Sequence, residues 1–220
     1  MLGSNSYEIG LKQTAWNDRL ALNLAAFLNR FKNLQRDVSR TDPVLGSVQQ
    51  TANTADVTIR GLEAEISARL AGGFSVNANA GYQHSKFDKI VYDLSGNGTV
   101  GPEDYALKLP LLAPWSYGVS ASYAHALANQ GVMSGRVSFN HRDMVFYTDS
   151  NVGYLNPINN IDADITYAFP KWLTVSVYGK NLTNRVFYGA DVPLPFTPHE
   201  THSPLSKGRV IGAEFRLTVN

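Results

Sequence analysis

Cysteine is absent from the 220 residues, which removes disulfides and thiolate chemistry from any mechanism. No apolar run approaches the roughly 18 residues that a membrane helix needs. Residues 1–12, MLGSNSYEIGLK, have no basic region leading into an apolar core, so no signal peptide is expected there. Charge is scarce: 17% of residues are Asp, Glu, Lys or Arg, against roughly 25% in ordinary soluble domains. The net charge of +1 is too small to mark a polyanion-binding surface, so no nucleic-acid partner is expected. Phosphate-binding glycine loops and G-x-S-x-G elbows are missing too, and no enzyme is expected. What is plentiful is aromatic: 11 Tyr, 10 Phe and 3 Trp.

The apolar residues that are present fall on alternate positions. Between Asn53 and Tyr82, Leu62, Ala64, Ile66, Ala68 and Leu70 alternate with Glu63, Glu65, Ser67 and Arg69. After Ala71-Gly72-Gly73, Phe74, Val76, Ala78, Ala80 and Tyr82 alternate with Ser75, Asn77, Asn79 and Gly81. Successive side chains of a strand point to opposite faces, so this is a hairpin with one apolar and one polar surface. The Gly-Gly tip supplies the positive φ of a tight turn.

The same period recurs along the chain, in Ser6–Trp16, Leu20–Arg36, Trp115–Tyr123, Val132–Tyr147, from Ile161 to Phe169, from Leu173 to Lys180, and from Ile211 to Val219. Short turns at Asn17, Gly72, Asn129 and Pro170 alternate with long connections near residues 45, 100, 153 and 196, of which residues 37–52 read as a polar loop. About nine antiparallel strands, with tight turns at one end and long loops at the other, is the layout of an outer-membrane barrel. Aromatics end the apolar faces at Tyr7, Tyr82, Trp115, Tyr123, Tyr167 and Phe169, where a membrane interface selects them. A soluble β-sandwich binding module, with the apolar faces turned inward, and a small closed porin or adhesin barrel are the alternatives.

Several stretches resemble the C-terminal barrel half of TonB-dependent outer-membrane receptors. SYEIGLK resembles that family's E-x-G-x-K strand, and VTIRGLEAEI its G-x-E-x-E strand. LPLLAPWSYGVSASY, VSVYGKNLTNRVFY and GRVIGAEFRLTV are similar to later family segments in the same order. The resemblance implies an all-β fold, an antiparallel transmembrane β-barrel segment of about nine strands with short periplasmic turns and long extracellular loops. It implies that residues 1–220 are the C-terminal part of a receptor barrel, roughly the last nine of about 22 strands. The plug domain, through which the TonB complex would act, has no counterpart in the sequence. It further implies a Gram-negative outer-membrane location and uptake of a small-molecule nutrient such as a ferric siderophore. A partial barrel leaves two edges whose backbone groups are costly in lipid, so the chain is expected not to close, insert or transport alone.

One loop carries a pattern of its own. In Asp93–Asp104, DLSGNGTVGPED, residues Asp93, Ser95, Asn97 and the Thr99 carbonyl occupy the ligand positions of a twelve-residue calcium loop. Gly98 takes the sharp-turn position, and Asp104 stands last in place of the usual Glu. The plain alternative, and the favoured one, is a polar, Gly-rich loop; no cofactor is expected to be required, and calcium is the candidate ion. His199 and His202 in PHETH read as polar surface, since H-E-x-H lacks the spacing of a zinc helix. Asp162 and Asp164 share a strand face that reads as wet lumen rather than an acid/base pair.

Overall fold

The computed structural model describes residues 2–42, 46–189, 192–193 and 201–218. Period-two alternation gives strands throughout: β1 (Gly3–Ala15), β2 (Leu20–Asp42), β3 (Gly46–Arg69), β4 (Phe74–Ile90), β5 (Trp115–Ala126), β6 (Val132–Arg142), β7 (Val145–Phe146), β8 (Tyr154–Leu155), β9 (Ile158–Ala168), β10 (Leu173–Lys180), β11 (Val192–Pro193), β12 (Thr201–His202) and β13 (Val210–Leu217). The helices described are one five-residue turn, α1 (Pro102–Ala106), and a 3-10 turn at Ala71–Gly73.

Nine of the strands form one antiparallel sheet in the order β1-β2-β3-β4-β5-β6-β9-β10-β13. Each is paired to its neighbour in sequence once the two-residue pairs β7–β8 and β11–β12 are set aside. Within the described residues the sheet is not closed, and β1 and β13 are its edges. Both edge strands run from the loop side to the turn side: Ala15 meets Leu20 across the first tight turn, and Leu217 ends beside Leu173.

The tight turns fall where the sequence puts them. Gly72 and Gly73 adopt φ of 70° and 87°, which lets the chain reverse between β3 and β4. The turn between β1 and β2 instead uses Trp16, Asn17 and Asp18 at positive φ. Gly61 has a different task. A Cβ there would sit 2.5 Å from the Phe27 ring of the neighbouring strand, which lies across it.

Two expectations need correction. Residues 37–52 are not a free loop, because β2 runs to Asp42 and β3 starts at Gly46 in continuous register. Apolar alternation ends near Leu34 but backbone pairing does not, since the ladder needs only N–H and C=O groups. Register shifts near Leu34, with Asn33 at φ 55°, absorb the change. At the other hairpin, β6 stops at Arg142 rather than Tyr147, and Val145–Phe146 peels away to pair with Tyr154–Leu155.

The buried core lies at the loop side rather than between sheets. Ala55, Val57, Phe87, Ile90, Leu94 and Leu109 form one cluster, and Ala113, Val145 and Leu155 a second. Val57 and Phe87 are register partners on the face that carries the polar residues lower down. The connection between β4 and β5 thus folds back over that face and seals it.

Candidate functional site

The sheet presents two working surfaces and a cap. On the outer surface, the register aligns Ile9, Ala26, Leu62, Tyr82 and Trp115 in one rung and Tyr123, Gly135, Ile165 and Val177 in another. In these rungs Leu62 is 60% and Ile165 57% exposed, and Phe215 on the same surface is 70% exposed. On this surface Ile66, Val119, Ile165 and Phe215 stand exposed and Val175 half-buried. Aromatic contacts frame it at both ends. On the turn side Phe74 packs on Tyr123 at 4.5 Å, and Tyr167 on Phe169 at 4.4 Å. On the loop side Tyr82 packs on Trp115 at 4.8 Å, and Tyr117 on His141 at 4.5 Å. Phe74 and Tyr82 are eight residues apart on β4, about 27 Å along the strand and about 20 Å once tilted. That matches the scale of an apolar band between aromatic girdles.

The opposite surface is a ladder of polar pairs. Asn23 donates to Glu65 at 3.2 Å and Ser67 to Asn77 at 2.7 Å, while hydroxyls meet at Ser75–Ser122 and Thr166–Ser176. Arg136 stands opposite Asp164, and Ser138 opposite Asp162. Asp162 accepts hydrogen bonds from Asn160 and from the Asn181 backbone N–H at 2.9 and 2.7 Å. It is a hydrogen-bonded wall carboxylate, with Asp164 one pleat away on the same face. Such a face suits a wet lumen, where polar side chains keep water and solutes in contact with the wall.

The cap holds every residue of the calcium-loop pattern in one network. Asp93 Oδ1 accepts from Ser95 Oγ and from the backbone N–H groups of Gly96 and Asn97, and its Oδ2 from Gly98 N–H at 2.6 Å. Asp104 is sealed from solvent by its own loop. Its Oδ1 accepts from the backbone N–H groups of Leu94 and Ser95, and its Oδ2 from that of Gly101, all within 2.9 Å. Asn97 Oδ1 accepts from the Thr99 N–H and hydroxyl. Hydrogen bonds from Gly98, Gly96, Ser95 and Asn97 hold the Asp93 carboxyl below its ordinary pKa. At Asp104 burial pushes the pKa up, and the Gly101, Ser95 and Leu94 bonds outweigh it, so the net direction is down. Both acids therefore stay ionised while organised by the loop's own amides. No group of three metal-ligating side chains is found among the described residues. His199 lies outside the described residues.

Three further residues do structural work that the spacing alone did not reveal. Asn151 clamps the Lys108 backbone in both directions, accepting from its N–H at 2.7 Å and donating to its carbonyl at 2.9 Å. This staples the β4–β5 connection to the one after β6. Asn181, buried at the end of β10 with φ 51°, donates to the carbonyls of Arg185 and Lys207. Asn184, φ 53°, accepts from Arg209 N–H at 2.9 Å. The available signal was the residue type, since Asn tolerates left-handed backbone and bonds locally.

With this geometry in view, similarity to known proteins gives the chain its family. Residues 3–182 match the family model described as TonB dependent receptor-like, beta-barrel, and the chain belongs to that family. Solved structures share its fold. The ferric yersiniabactin uptake receptor FyuA from Yersinia pestis superposes with a TM-score of 0.78 at 20% identity, over 98% of this chain and 30% of that one. The siderophore receptor PiuA from Acinetobacter baumannii gives 0.73 at 16% identity, over 98% and 28%. The copper transporter OprC gives 0.68 at 15% identity, over 98% and 31%. The chain thus spans about three-tenths of the length of the proteins it matches.

Proposed function

We propose that this chain is the C-terminal part of an outer-membrane receptor that takes up a scarce nutrient, such as a ferric siderophore, with energy delivered by TonB. The observation that carries this is the two-faced nine-stranded sheet, apolar and girdled outside, polar inside, in a chain of the TonB-dependent receptor family. A sandwich would bury the face on which Leu62, Ile165 and Phe215 stand exposed. The open edges speak to the rest of the receptor. Because β1 and β13 run the same way, pairing them directly would be parallel, and antiparallel closure takes an odd number of additional strands. A barrel of about 22 strands would add about 13.

The cap would then lie outside the cell, and the plug that contacts TonB would belong to the remainder of the receptor. The test is uptake of radiolabelled iron–siderophore complexes by cells carrying the gene in its genomic context. Expected is uptake that disappears when TonB is deleted. Equal accumulation with and without TonB, across siderophores of catecholate, hydroxamate and carboxylate type, would sink the proposal.

A further inference from the structure

On the outer face of β2, β3 and β4, basic residues gather directly above the apolar band. The lower rungs make a groove of about 720 Å³. Ala26, Ala64 and Ala80 are its low points, Leu24 and Leu62 stand between them, and its walls are Ile9 and Leu11 on one side and Tyr82 and Trp115 on the other. One rung toward the loop side, Arg60 on β3 pairs with His84 on β4. One rung further, Thr58 stands between Arg30 on β2 and Lys86 on β4. Strand spacing puts the Arg30 and Lys86 backbones about 10 Å apart, close enough for their long side chains to converge over Thr58.

Arg30, Arg60, His84 and Lys86 are all exposed. Arg30, Arg60 and Lys86 make no ion pair among the described residues. Two acids share this face without an ion pair to the three cations: Asp88 accepts the Thr58 hydroxyl, while Asp56, opposite Lys89, accepts the Asn33 N–H at 2.7 Å. On β6 and β9 the His141–Asn159 pair lies on the Ala64–Ala80 rung, two rungs below Arg60–His84.

We propose that this face is a binding site for an anionic membrane lipid. Its phosphate sits among Arg30, Arg60 and Lys86, and one acyl chain lies along the groove between the ridges. The proposal rests on the lipid-facing assignment of the outer surface. Two features carry it together: cations placed one and two rungs beyond the Tyr82–Trp115 pair, at headgroup depth, and an apolar groove continuous with the band beneath them. Basic residues at a membrane surface select anionic lipid, and a phosphate adds charge-assisted hydrogen bonds.

Trp115 reports on the groove. Replacing Trp16 and Trp172, both at the turn side, and every tryptophan in the rest of the receptor with Phe leaves it as the sole tryptophan. The complete receptor that contains this chain is reconstituted in phosphatidylcholine vesicles doped with a small fraction of phosphatidylglycerol or of phosphatidylcholine, brominated on the acyl chains in each case. Expected is about fivefold stronger quenching per mole by the brominated phosphatidylglycerol, the ratio that about one basic residue's attraction gives. The triple variant Arg30→Gln, Arg60→Gln, Lys86→Gln should bring the ratio to one and leave quenching by phosphatidylcholine unchanged. Equal quenching by both lipids in the starting protein, or a ratio that survives the triple variant, overturns the site while leaving the lipid-facing band intact. No quenching by either lipid overturns the lipid-facing assignment, and the site with it.

Discussion

In the middle of the strands Ile66, Ile165 and Phe215 stand exposed on the outer face, while toward the loop side Val57, Phe87 and Val145 are almost wholly sealed. The residue types are the same; the solvent each region is built for differs. Along the band, an apolar side chain needs no protein partner, because hydrocarbon can cover it. In the cap, water surrounds the chain, so apolar side chains must find one another, and they do so by drawing the β4–β5 connection across the sheet's polar face. Polar groups show the converse. In the band they line an open wall, whereas in the cap Thr54 and Asp104 are buried, each with its hydrogen bonds supplied.

The largest effect should come from charge placed on the wrong side of the band. Val119→Arg puts a cation at mid-strand on the outer face, and in a bilayer should cost about 2–4 kcal/mol. Asn77→Arg, on the polar face, should stay within about 0.5 kcal/mol. Urea titration of the complete receptor embedded in vesicles measures both. Equal costs would mean that the two faces do not differ in solvent.

Within the cap the first position to break is Asp104. Asp104→Asn keeps the shape but turns an amide NH₂ toward backbone N–H groups that need an acceptor. It should cost about 2–3 kcal/mol locally. The readout is faster amide exchange at Leu94, Ser95 and Gly101, with β9 and β10 unchanged. The same carboxylate makes the cap acid-sensitive. Its folded pKa is lowered, so its contribution is complete above the unfolded value of about 3.9 and fades as pH falls through the lower folded one. Asp93 acts in the same direction. Protection of these amides, measured against their intrinsic exchange rate at each pH, should therefore fall below about pH 4 in the parent and be independent of pH in the double Asp93→Asn, Asp104→Asn variant.

A smaller effect distinguishes true core from band. Val57→Ala removes two buried methyl-sized groups at about 0.8 kcal/mol each, or about 1–2 kcal/mol in all. It should lower the midpoint for loss of cap protection in hydrogen exchange without altering strand content by circular dichroism. An unchanged midpoint would show that the cluster around Val57 and Phe87 contributes no stability.

How much of this was readable before the fold was known follows from the same contrast. The nine strands, their two faces and the alternation of tight and wide connections were legible, because period-two alternation is enforced wherever one face meets an apolar solvent. Past the girdle, that enforcement stops. Residues 37–52 carry no apolar face, so their pairing left no mark on the side chains. Val57 and Phe87 sit on the polar face of their strands, and nothing local says that residues 91–114 return to cover them. The clamps are non-local for the same reason: Asn151 and Lys108 are 43 residues apart, and only the loop geometry brings them together. The turn residues Gly72 and Gly73 were legible, but Trp16 at φ 55° was not, since nothing in its chemistry favours that conformation.

The smallest expected effect concerns calcium at the Asp93–Asp104 loop, where the spacing of oxygens and the bonds those oxygens make point in different directions. The spacing places Asp93, Ser95, Asn97, Thr99 and Asp104 as a calcium loop would. The bonds give each carboxylate oxygen of Asp93 and Asp104 at least one N–H or O–H donor, and Asn97 Oδ1 two. A cation would have to share or displace these donors, and Asp93 and Asp104 are the only acids among the five pattern positions to repay it. The loop is thus organised without help, and any calcium affinity should be weaker than the roughly 10⁻³ M of the weakest extracellular modules. Amide exchange at Gly96, Asn97 and Gly98 should be the same with and without millimolar calcium. Asp93→Ala should speed exchange there equally in both conditions, because what it removes is an acceptor for the backbone. Protection that rises with calcium in the parent, and not in Asp93→Ala, would reverse the assignment and make the loop a cation site.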